Sequence, residues 1–213
     1  MLIKHMRTAP VGCNYFVTGT DTDVGKTVVS AWICLHTKKK YWKPIQTGSC
    51  DGRDSEFVAG IIGQDNIMPE KYVFAQASSP HLAAQNAGSK IDKDALVRNV
   101  AGLSDTVIEG AGGIMVPWST EPNYTYLDFA AETSLPTIVV ASTRLGTINH
   151  TLLTLGALYD RCIDVRCLVI NGPCEQDLLR TAVCFYPEIK IETMPRLKTI
   201  TTTTLQNVGC CIP

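Results

Sequence analysis

The sequence predicts an α/β domain built on a mostly parallel sheet. Short runs rich in β-branched and aromatic residues alternate with longer segments whose apolar residues recur at helical spacing. Strands that alternate with helices form right-handed βαβ units, which cover both faces of a parallel sheet and give a three-layer sandwich. A second observation is the stretch YFVTGTDTDVGKT, residues 15–27, in which a β-rich run, a polar loop and the start of a helical segment follow one another.

The stretch 15–27 has the layout of a phosphate-binding loop. Gly25 lets the backbone approach a phosphate closely, Lys26 can bridge the β- and γ-phosphates, and Thr27 can ligate magnesium. Backbone N–H groups at a helix N-terminus point at such an anion. Five residues, rather than the usual four, separate Gly19 from Gly25. The alternative is a solvated turn, but a strand followed by a loop and a helix is the context that the motif requires.

The composition fits one globular domain. The chain has 213 residues, of which 45% are apolar and 18% charged, and its formal net charge is −1. A nearly neutral chain is a poor candidate for electrostatic binding of nucleic acid. No apolar run approaches the roughly 20 residues of a membrane span, and the N-terminal stretch has no continuous apolar segment of a signal peptide. We therefore expect a cytoplasmic protein with neither a nucleic acid nor a membrane as partner.

Nine cysteines raise the question of disulfides. Their number is odd, none forms a Cys-x-x-Cys pair, and most lie inside apolar periodic segments. These features favour buried free thiols in a reducing compartment. Cys50 lies in a polar loop near the expected active site, so its reactivity is of interest.

The first half of the chain is predicted to hold four helices and two further strands. In order, these are a helix over 25–38, a strand over 41–45, a polar loop over 46–53, a helix capped by Asp54 that ends at Gly63, an irregular segment over 64–90 with a short helix begun by Pro80, a helix capped by Asp92, and a strand over 106–108 that ends in Glu109-Gly110-Ala111-Gly112-Gly113.

The second half continues the alternation. In order, we predict a helix over 125–133, a strand over 137–141, a helix from about 147, a strand over 165–170, a helix over 175–185 and a short strand over 189–193. The division is an N-terminal extension over 1–12, a single domain over 13–198 and a tail over 199–213. We expect this threonine-rich tail to be ordered only by a ligand or partner.

The carboxyl ends of parallel strands share one edge of the sheet, where ligands bind. The polar residues expected at this edge are Lys43, Thr47, Asp54, Glu109, Arg144 and Asn171. Glu109 directly follows a β run, as the acidic residue of a Walker B strand does. With Asp54 and Thr27 it supplies oxygen ligands for magnesium. Two plainer interpretations stay open, because Glu109 can make a local ion pair and Asp54 can be only a helix cap.

Three other features at this edge have both a functional and a plain interpretation. Gly110–Gly113 carries no side chain beyond a methyl, which suits close approach to a small anion or acyl group, or a tight turn. Lys43 can stabilise transferring charge or be an ordinary surface lysine. The helix near Thr147 is a second anion site in principle, whereas His150 on that helix is more often a packed histidine than a ligand.

The residues resemble those of the dethiobiotin synthetase family. The motifs that carry the resemblance span most of residues 14–197 and are FVTGTDTDVGKT, KPIQTG, RDSEFV, SSPHLAA followed by KID, IEGAGGIMVP, LPTIVVA and LGTINH. The order of the first, second and fifth of these is highly specific. The five-residue spacing of the phosphate loop is the family's own.

The resemblance implies a P-loop fold with a seven-stranded parallel sheet and a homodimer. It also implies an enzyme that takes 7,8-diaminopelargonic acid, carbon dioxide and MgATP late in biotin synthesis. A carbamate forms on one amine and attacks the γ-phosphate. The second amine then closes the ureido ring and releases phosphate.

The resemblance also implies a role for each matching residue. Lys43, Lys26 and Thr22 are expected to be catalytic. Thr27, Asp54 and Glu109 are expected to bind magnesium. The nucleotide is expected at Asp23, Val24, Gly25, Lys26, Thr27, Asn171, Pro195, Arg196 and Leu197. The substrate is expected at Thr22, Lys43, Thr47, Gly110, Ala111, Gly112 and Gly113, and at Gly146, Thr147, Ile148 and Asn149 of the other subunit. Two residues depart from the family pattern, Arg144 in place of lysine and Gln85 in place of glutamate.

Two alternative functions use related phosphate loops. Partitioning and metallochaperone ATPases bind a protein partner, but they carry a lysine early in the loop, where this chain has Thr20-Asp21-Thr22. The synthetase half of a cobyrinic-acid-type amidotransferase needs a second domain, for which 213 residues leave no room.

Overall fold

The computed structural model describes residues 13–173 and 176–212 and has a seven-stranded, fully parallel sheet at its centre. The strands are β1 Tyr15–Gly19, β2 Lys40–Trp42, β3 Ile45–Gln46, β4 Ile67–Met68, β5 Tyr72–Val73, β6 Thr106–Gly113, β7 Pro117–Thr120, β8 Asn123–Thr125, β9 Thr137–Ser142, β10 Val165–Asn171 and β11 Ile191–Met194. The sheet order is β11-β10-β9-β1-β6-β2-β4, and its neighbouring strands all pair in parallel. The predicted fold class is confirmed, while residues 1–12 lie outside the described part.

Helices cover both faces of the sheet. They are α1 Lys26–Thr37, α2 Asp54–Ile62, α3 Pro80–Asn86, α4 Lys93–Ala101, α5 Tyr126–Thr133, α6 Thr147–Asp160, α7 Gln176–Phe185 and α8 Thr202–Gln206. Alternate residues of β1 divide the core, because side chains along a strand point to opposite faces. Phe16 packs with residues of α3 to α7, whereas Tyr15 and Val17 pack with α1, α2 and α8. The phosphate loop therefore follows the central strand of a three-layer core.

The predicted strand over 41–45 is wrong in one respect, because it breaks at Lys43 and Pro44. Strand β2 ends at Trp42, and β3 pairs with β5 in a separate two-stranded sheet. Pro44 has no N–H for a ladder, and its carbonyl oxygen accepts from the backbone N–H groups of Lys71 (2.9 Å) and Tyr72 (3.0 Å). The break places Lys43 just beyond the carboxyl end of β2, at the edge of the sheet where the strands end.

Two predicted boundaries beside the site are also wrong. Glu109 and the glycines after it belong to β6, because β1 continues to pair with this strand as far as Gly19 and Gly113. Asp54 is the first residue of α2, and Arg53 has the N-cap position. The Asp54 backbone N–H donates to Gln46 Oε1 (3.1 Å), and its carboxylate pairs with Lys43.

The described part of the tail forms a short helix that packs on the domain. Helix α8 packs against α1, where Leu205 is fully buried in the cluster that contains Trp32. The Trp32 indole N–H donates to the carbonyl oxygen of Val208 (3.0 Å). The sequence also missed the antiparallel β7–β8 hairpin.

The described cysteines are free thiols, as predicted, but most are not buried. Only Cys34 and Cys167 are buried, and burial raises the pKa of both. The exposed ones are Cys50, Cys162, Cys184 and Cys211. In the described ranges, no helix has the length and apolar character needed to cross a membrane.

Candidate active site at the carboxyl edge of the sheet

The phosphate loop is held in shape by contacts with β10. Gly25 adopts φ 94° at the N-cap of α1, and a Cβ at this position would lie 1.9 Å from Asn171 Nδ2. Only glycine fits there. The Asn171 amide donates to the carbonyl oxygen of Val24 (2.9 Å), and the register sets Asn171 beside Met194, just before the 195–197 segment. The structure thus brings together the residues expected around adenine.

Lys26 is 7% exposed and donates to the carbonyl oxygen of Asp21 (3.0 Å) across its own loop. The pKa of Lys26 is lowered to about 8, chiefly by burial; the Glu109 carboxylate opposes the shift, and the nearby Lys43 charge adds to it. A buried ammonium ion with one backbone partner retains donors for an incoming anion.

Glu109 is at the centre of the site and is fully buried. Its Oε1 accepts from Thr27 Oγ1 (2.9 Å) and from Lys43 Nζ (3.5 Å), and its Oε2 accepts from the Tyr41 hydroxyl (3.0 Å). Lys43 is 5% exposed and also pairs closely with Asp54. All three residues expected to hold magnesium therefore contact one another or the same ammonium ion.

The environment of Glu109 also acts on Tyr41. Burial, followed by the Glu109 charge, raises the pKa of the Tyr41 phenol well above its ordinary range. The hydroxyl therefore remains a donor to the carboxylate at neutral pH.

Of the residues expected at the substrate, the glycines after Glu109 lie beside Thr22 and the phosphate loop. Gly112 adopts φ 68°, and a Cβ there would lie 3.7 Å from Thr22 Oγ1 and 2.9 Å from Val116 Cγ2. A Cβ at Gly113 would lie 3.5 Å from the carbonyl oxygen of Gly19. The glycine segment therefore passes close to the loop backbone. Thr47 is linked to α2, because Gln46 donates to the Thr47 carbonyl oxygen (2.7 Å) and accepts from Asp54.

The start of α6 lies near the same phosphate loop. Gly146 has the N-cap position without a side-chain cap, and Ile148 and Asn149 are exposed. Arg144 donates to the Thr22 carbonyl oxygen (3.0 Å), and His150 Nδ1 is 3.9 Å from Asp21 Oδ2. His150 is thus an exposed residue of the rim rather than a packed histidine.

Sequence reasoning missed Tyr41 and Gln46. In the predicted strand over 41–45, Tyr41 and Lys43 fall on one face, so the two-residue period was a usable signal, although the observed strand ends at Trp42. Gln46 offered no comparable signal, because its bond to Asp54 depends on how β3 meets α2.

In the part of the chain that the structure describes, no three His, Cys, Asp or Glu side chains converge on one point. The three residues expected to hold a cation, Thr27, Asp54 and Glu109, offer one hydroxyl and two carboxylates. That set suits a hard cation that retains water and phosphate ligands, as Mg²⁺ does.

Known proteins resemble this chain over almost its whole length. Residues 13–213 match the family described as AAA domain. The chain is 42% identical to the ATP-dependent dethiobiotin synthetase BioD of Lawsonia intracellularis over 194 residues, which cover 91% of this chain and 93% of that protein. It is 48% identical to the protein of the same description from Paramagnetospirillum magneticum over 157 residues, 74% of this chain and 75% of that one.

Solved structures share the fold at low sequence identity. The signal recognition particle receptor FtsY from Elizabethkingia anophelis superposes with a TM-score of 0.54 at 12% identity, covering 94% of this chain and 62% of that one. A nucleotide-binding protein in complex with ADP from Archaeoglobus fulgidus gives 0.52 at 13% identity, covering 92% and 86%. These likenesses concern the fold alone, whereas the sequence relatives show that the chain belongs to the ATP-dependent dethiobiotin synthetase family.

Proposed function

We propose that this protein is an ATP-dependent dethiobiotin synthetase of the cytoplasm. It carboxylates 7,8-diaminopelargonic acid with carbon dioxide and closes the ureido ring, with ADP and phosphate as the other products. The observation that carries the proposal is the 42% identity over nine-tenths of both chains with a relative of that name. A partitioning or metallochaperone ATPase has less support, because residues 20–22 contain no lysine.

The proposed reaction needs no nucleophile from the protein. An amine nitrogen attacks carbon dioxide and loses a proton, which gives a carbamate. A carbamate oxygen attacks the γ-phosphorus and displaces ADP. The second amine attacks the carbonyl carbon of the resulting anhydride and loses a proton, and the C–O bond to phosphate breaks, which releases inorganic phosphate. The task of the protein is to position these groups and to neutralise charge.

The buried cations are suited to that task. Lys26 and the N–H groups at the start of α1 bind the nucleotide phosphates, and Lys43 faces the same buried region from the β2 edge. Both lysines are shielded from water. In such a buried site, a fixed positive charge stabilises a phosphoryl transition state more strongly than it does in solvent. Thr22 and the Gly110–Gly113 backbone flank the carbamate and the amines.

The donor set fits magnesium. Thr27, Asp54 and Glu109 would hold the ion, and the Lys43 ammonium ion already contacts both carboxylates as a cation does. When bound, magnesium supplies positive charge to the β- and γ-phosphates. Lys43, which pairs with both carboxylates, would neutralise charge on the phosphoryl group beside that ion.

The rest of the proposed site concerns the base and the far end of the substrate. Asn171 and residues 195–197 contact adenine. The substrate carboxylate binds the N-terminus of α6 in a second copy of the chain, at Gly146, Thr147, Ile148 and Asn149. The Thr147 N–H already donates to the carbonyl oxygen of Arg144 (3.0 Å), and Gly146 has no side chain to cap the helix, so the N–H groups of Ile148 and Asn149 are the ones we assign to the carboxylate.

The decisive measurement is ADP release by purified protein with and without each co-substrate. Release should require diaminopelargonic acid and bicarbonate together, and dethiobiotin should form in equal amount. A Lys26→Ala variant controls for contaminating ATPases. ATP hydrolysis that proceeds equally well without the diamine would contradict the proposal.

A further inference from the structure

The carboxylate of Glu109 has partners on both oxygens, but they differ in kind. Oε1 is the oxygen that faces Thr27 and Lys43, on the side of the phosphate loop. Oε2 has the Tyr41 hydroxyl as its partner at 3.0 Å. Both Tyr41 and Glu109 are fully buried, so water does not compete for this bond.

The pairing of β2 with β6 explains why Tyr41 reaches Glu109. Tyr41 lies opposite Val107 in the parallel register, and Glu109 is two residues further on the same face. Diagonal neighbours of this kind are within reach of an aromatic side chain. Lys43 follows the last residue of β2 and reaches the other oxygen of the same carboxylate, Oε1, at 3.5 Å.

We propose that Tyr41 is a positioning residue for the divalent cation of the reaction, and that it acts through Glu109. Its hydroxyl holds Oε2 and thereby keeps Oε1 turned toward the phosphate loop. The terminal torsion of a glutamate is broad and sets little by itself, so a directed donor decides which oxygen is presented. The inference rests on the proposed function, because it assumes a cation at Thr27, Asp54 and Glu109.

A second tyrosine–glutamate pair provides a control. It distinguishes a role in cation binding from the general effect of removing a buried hydroxyl that has a hydrogen-bond partner. Tyr124 is 6% exposed and donates to Glu132 Oε2 at 2.8 Å. Neither residue contacts the phosphate loop or its carboxylates. Tyr124→Phe therefore removes the same kind of bond at a remote place.

The test measures Mn²⁺ binding directly, by electron paramagnetic resonance of the free ion in the presence of ADP. Tyr41→Phe should weaken Mn²⁺ binding by about 10-fold or more, the usual effect of losing a hydrogen bond to a metal-ligating side chain. Its ADP affinity in EDTA should be unchanged. Tyr124→Phe should lower the melting temperature but leave Mn²⁺ affinity within about twofold.

A Glu109→Gln background gives the second measurement. If Tyr41 acts through Glu109, adding Tyr41→Phe to Glu109→Gln should cause no further loss of Mn²⁺ affinity. Equal Mn²⁺ affinity in Tyr41→Phe and the unaltered protein would overturn the inference, as would equal losses in both tyrosine variants or no Mn²⁺ binding at all. Dethiobiotin formation by the unaltered protein decides the proposed function separately, so either conclusion can fail alone.

Discussion

The two faces of strand β6 differ in the interactions they make, even at the adjacent residues Glu109 and Gly110. On the α1 face, Glu109 is bound by hydroxyl and ammonium donors in a buried polar network. On the opposite face, the next residue, Gly110, packs under aromatic rings: a Cβ there would lie 3.2 Å from Phe16 Cζ and 3.4 Å from Tyr126 Cδ1. One face orients charges through directed bonds, and the other supports the same backbone through close packing.

The difference follows from the cost of burial. A buried charge must be paired or its folded state is strongly destabilised, so each group on the α1 face has a specific partner. The aromatic face has rings 4.8–5.4 Å apart among Phe16, Trp118 and Phe129, and it gains from contact area. We therefore expect changes on the aromatic face to alter stability and changes on the α1 face to alter chemistry.

Phe129→Ala tests the packing face and has the largest expected effect. Loss of a fully buried ring should lower the free energy of unfolding by about 3–5 kcal/mol, or roughly 6–20 °C in melting temperature. Turnover per folded molecule, measured well below the transition, should change less than about twofold, since the ring makes no directed bond to the site. A large fall in turnover at full folding would mean that the two faces are not separable.

Lys26→Ala tests the charge face. Removal of the phosphate-binding ammonium ion should lower kcat/KM on the order of 10²–10³-fold. The melting temperature without ligand should change little or rise, because burial disfavours this charge in the folded protein. Steady-state kinetics with a parallel thermal melt check both parts. A large loss of stability with intact kinetics would reverse the assignment of this residue.

Lys43→Gln tests whether the Lys43 charge stabilises the transition state rather than bound ATP. It should reduce turnover by at least about tenfold while leaving ATP affinity within about twofold, as expected for a contact made mainly in the transition state. In metal-free protein it should also lower stability, since Glu109 loses a buried counter-charge, and Mg²⁺ should restore more stability than in the unaltered protein. Isothermal titration and melts with and without Mg²⁺ provide the readouts. Unchanged turnover would remove Lys43 from the mechanism.

Arg144→Ala has the smallest expected effect, because its hydrogen bond to the Thr22 carbonyl oxygen is at the exposed rim. Water competes there, so a loss of about 0.5–1 kcal/mol is expected, or two- to fivefold in KM for the diamine. Arg144→Lys is the matched control and should recover part of it. A loss of 100-fold would show that directed bonds matter at the rim as much as in the buried network.

Much of the fold could be predicted because its signals are local. The helical period of α1 and α6, the β-rich runs of β1, β9 and β10, and the Asp92 cap each depend on a few neighbouring residues. The parallel topology alone predicted that Lys43, Asp54 and Glu109 share one edge of the sheet, where they meet. Motif spacing then identified the phosphate loop.

Local sequence patterns were sufficient to predict the order of the elements, the chemistry of the phosphate loop and the set of charged residues at the sheet edge. Tertiary structure decided the length of β6, the break at Lys43 and Pro44, and the burial of α8 against Trp32. It also decided that Tyr41 holds one oxygen of Glu109. The physical reason is that strand ends, counter-charges and hydrogen-bond partners depend on residues distant in sequence, such as Gly19 for β6 and Tyr41 for Glu109, and periodicity does not carry that information.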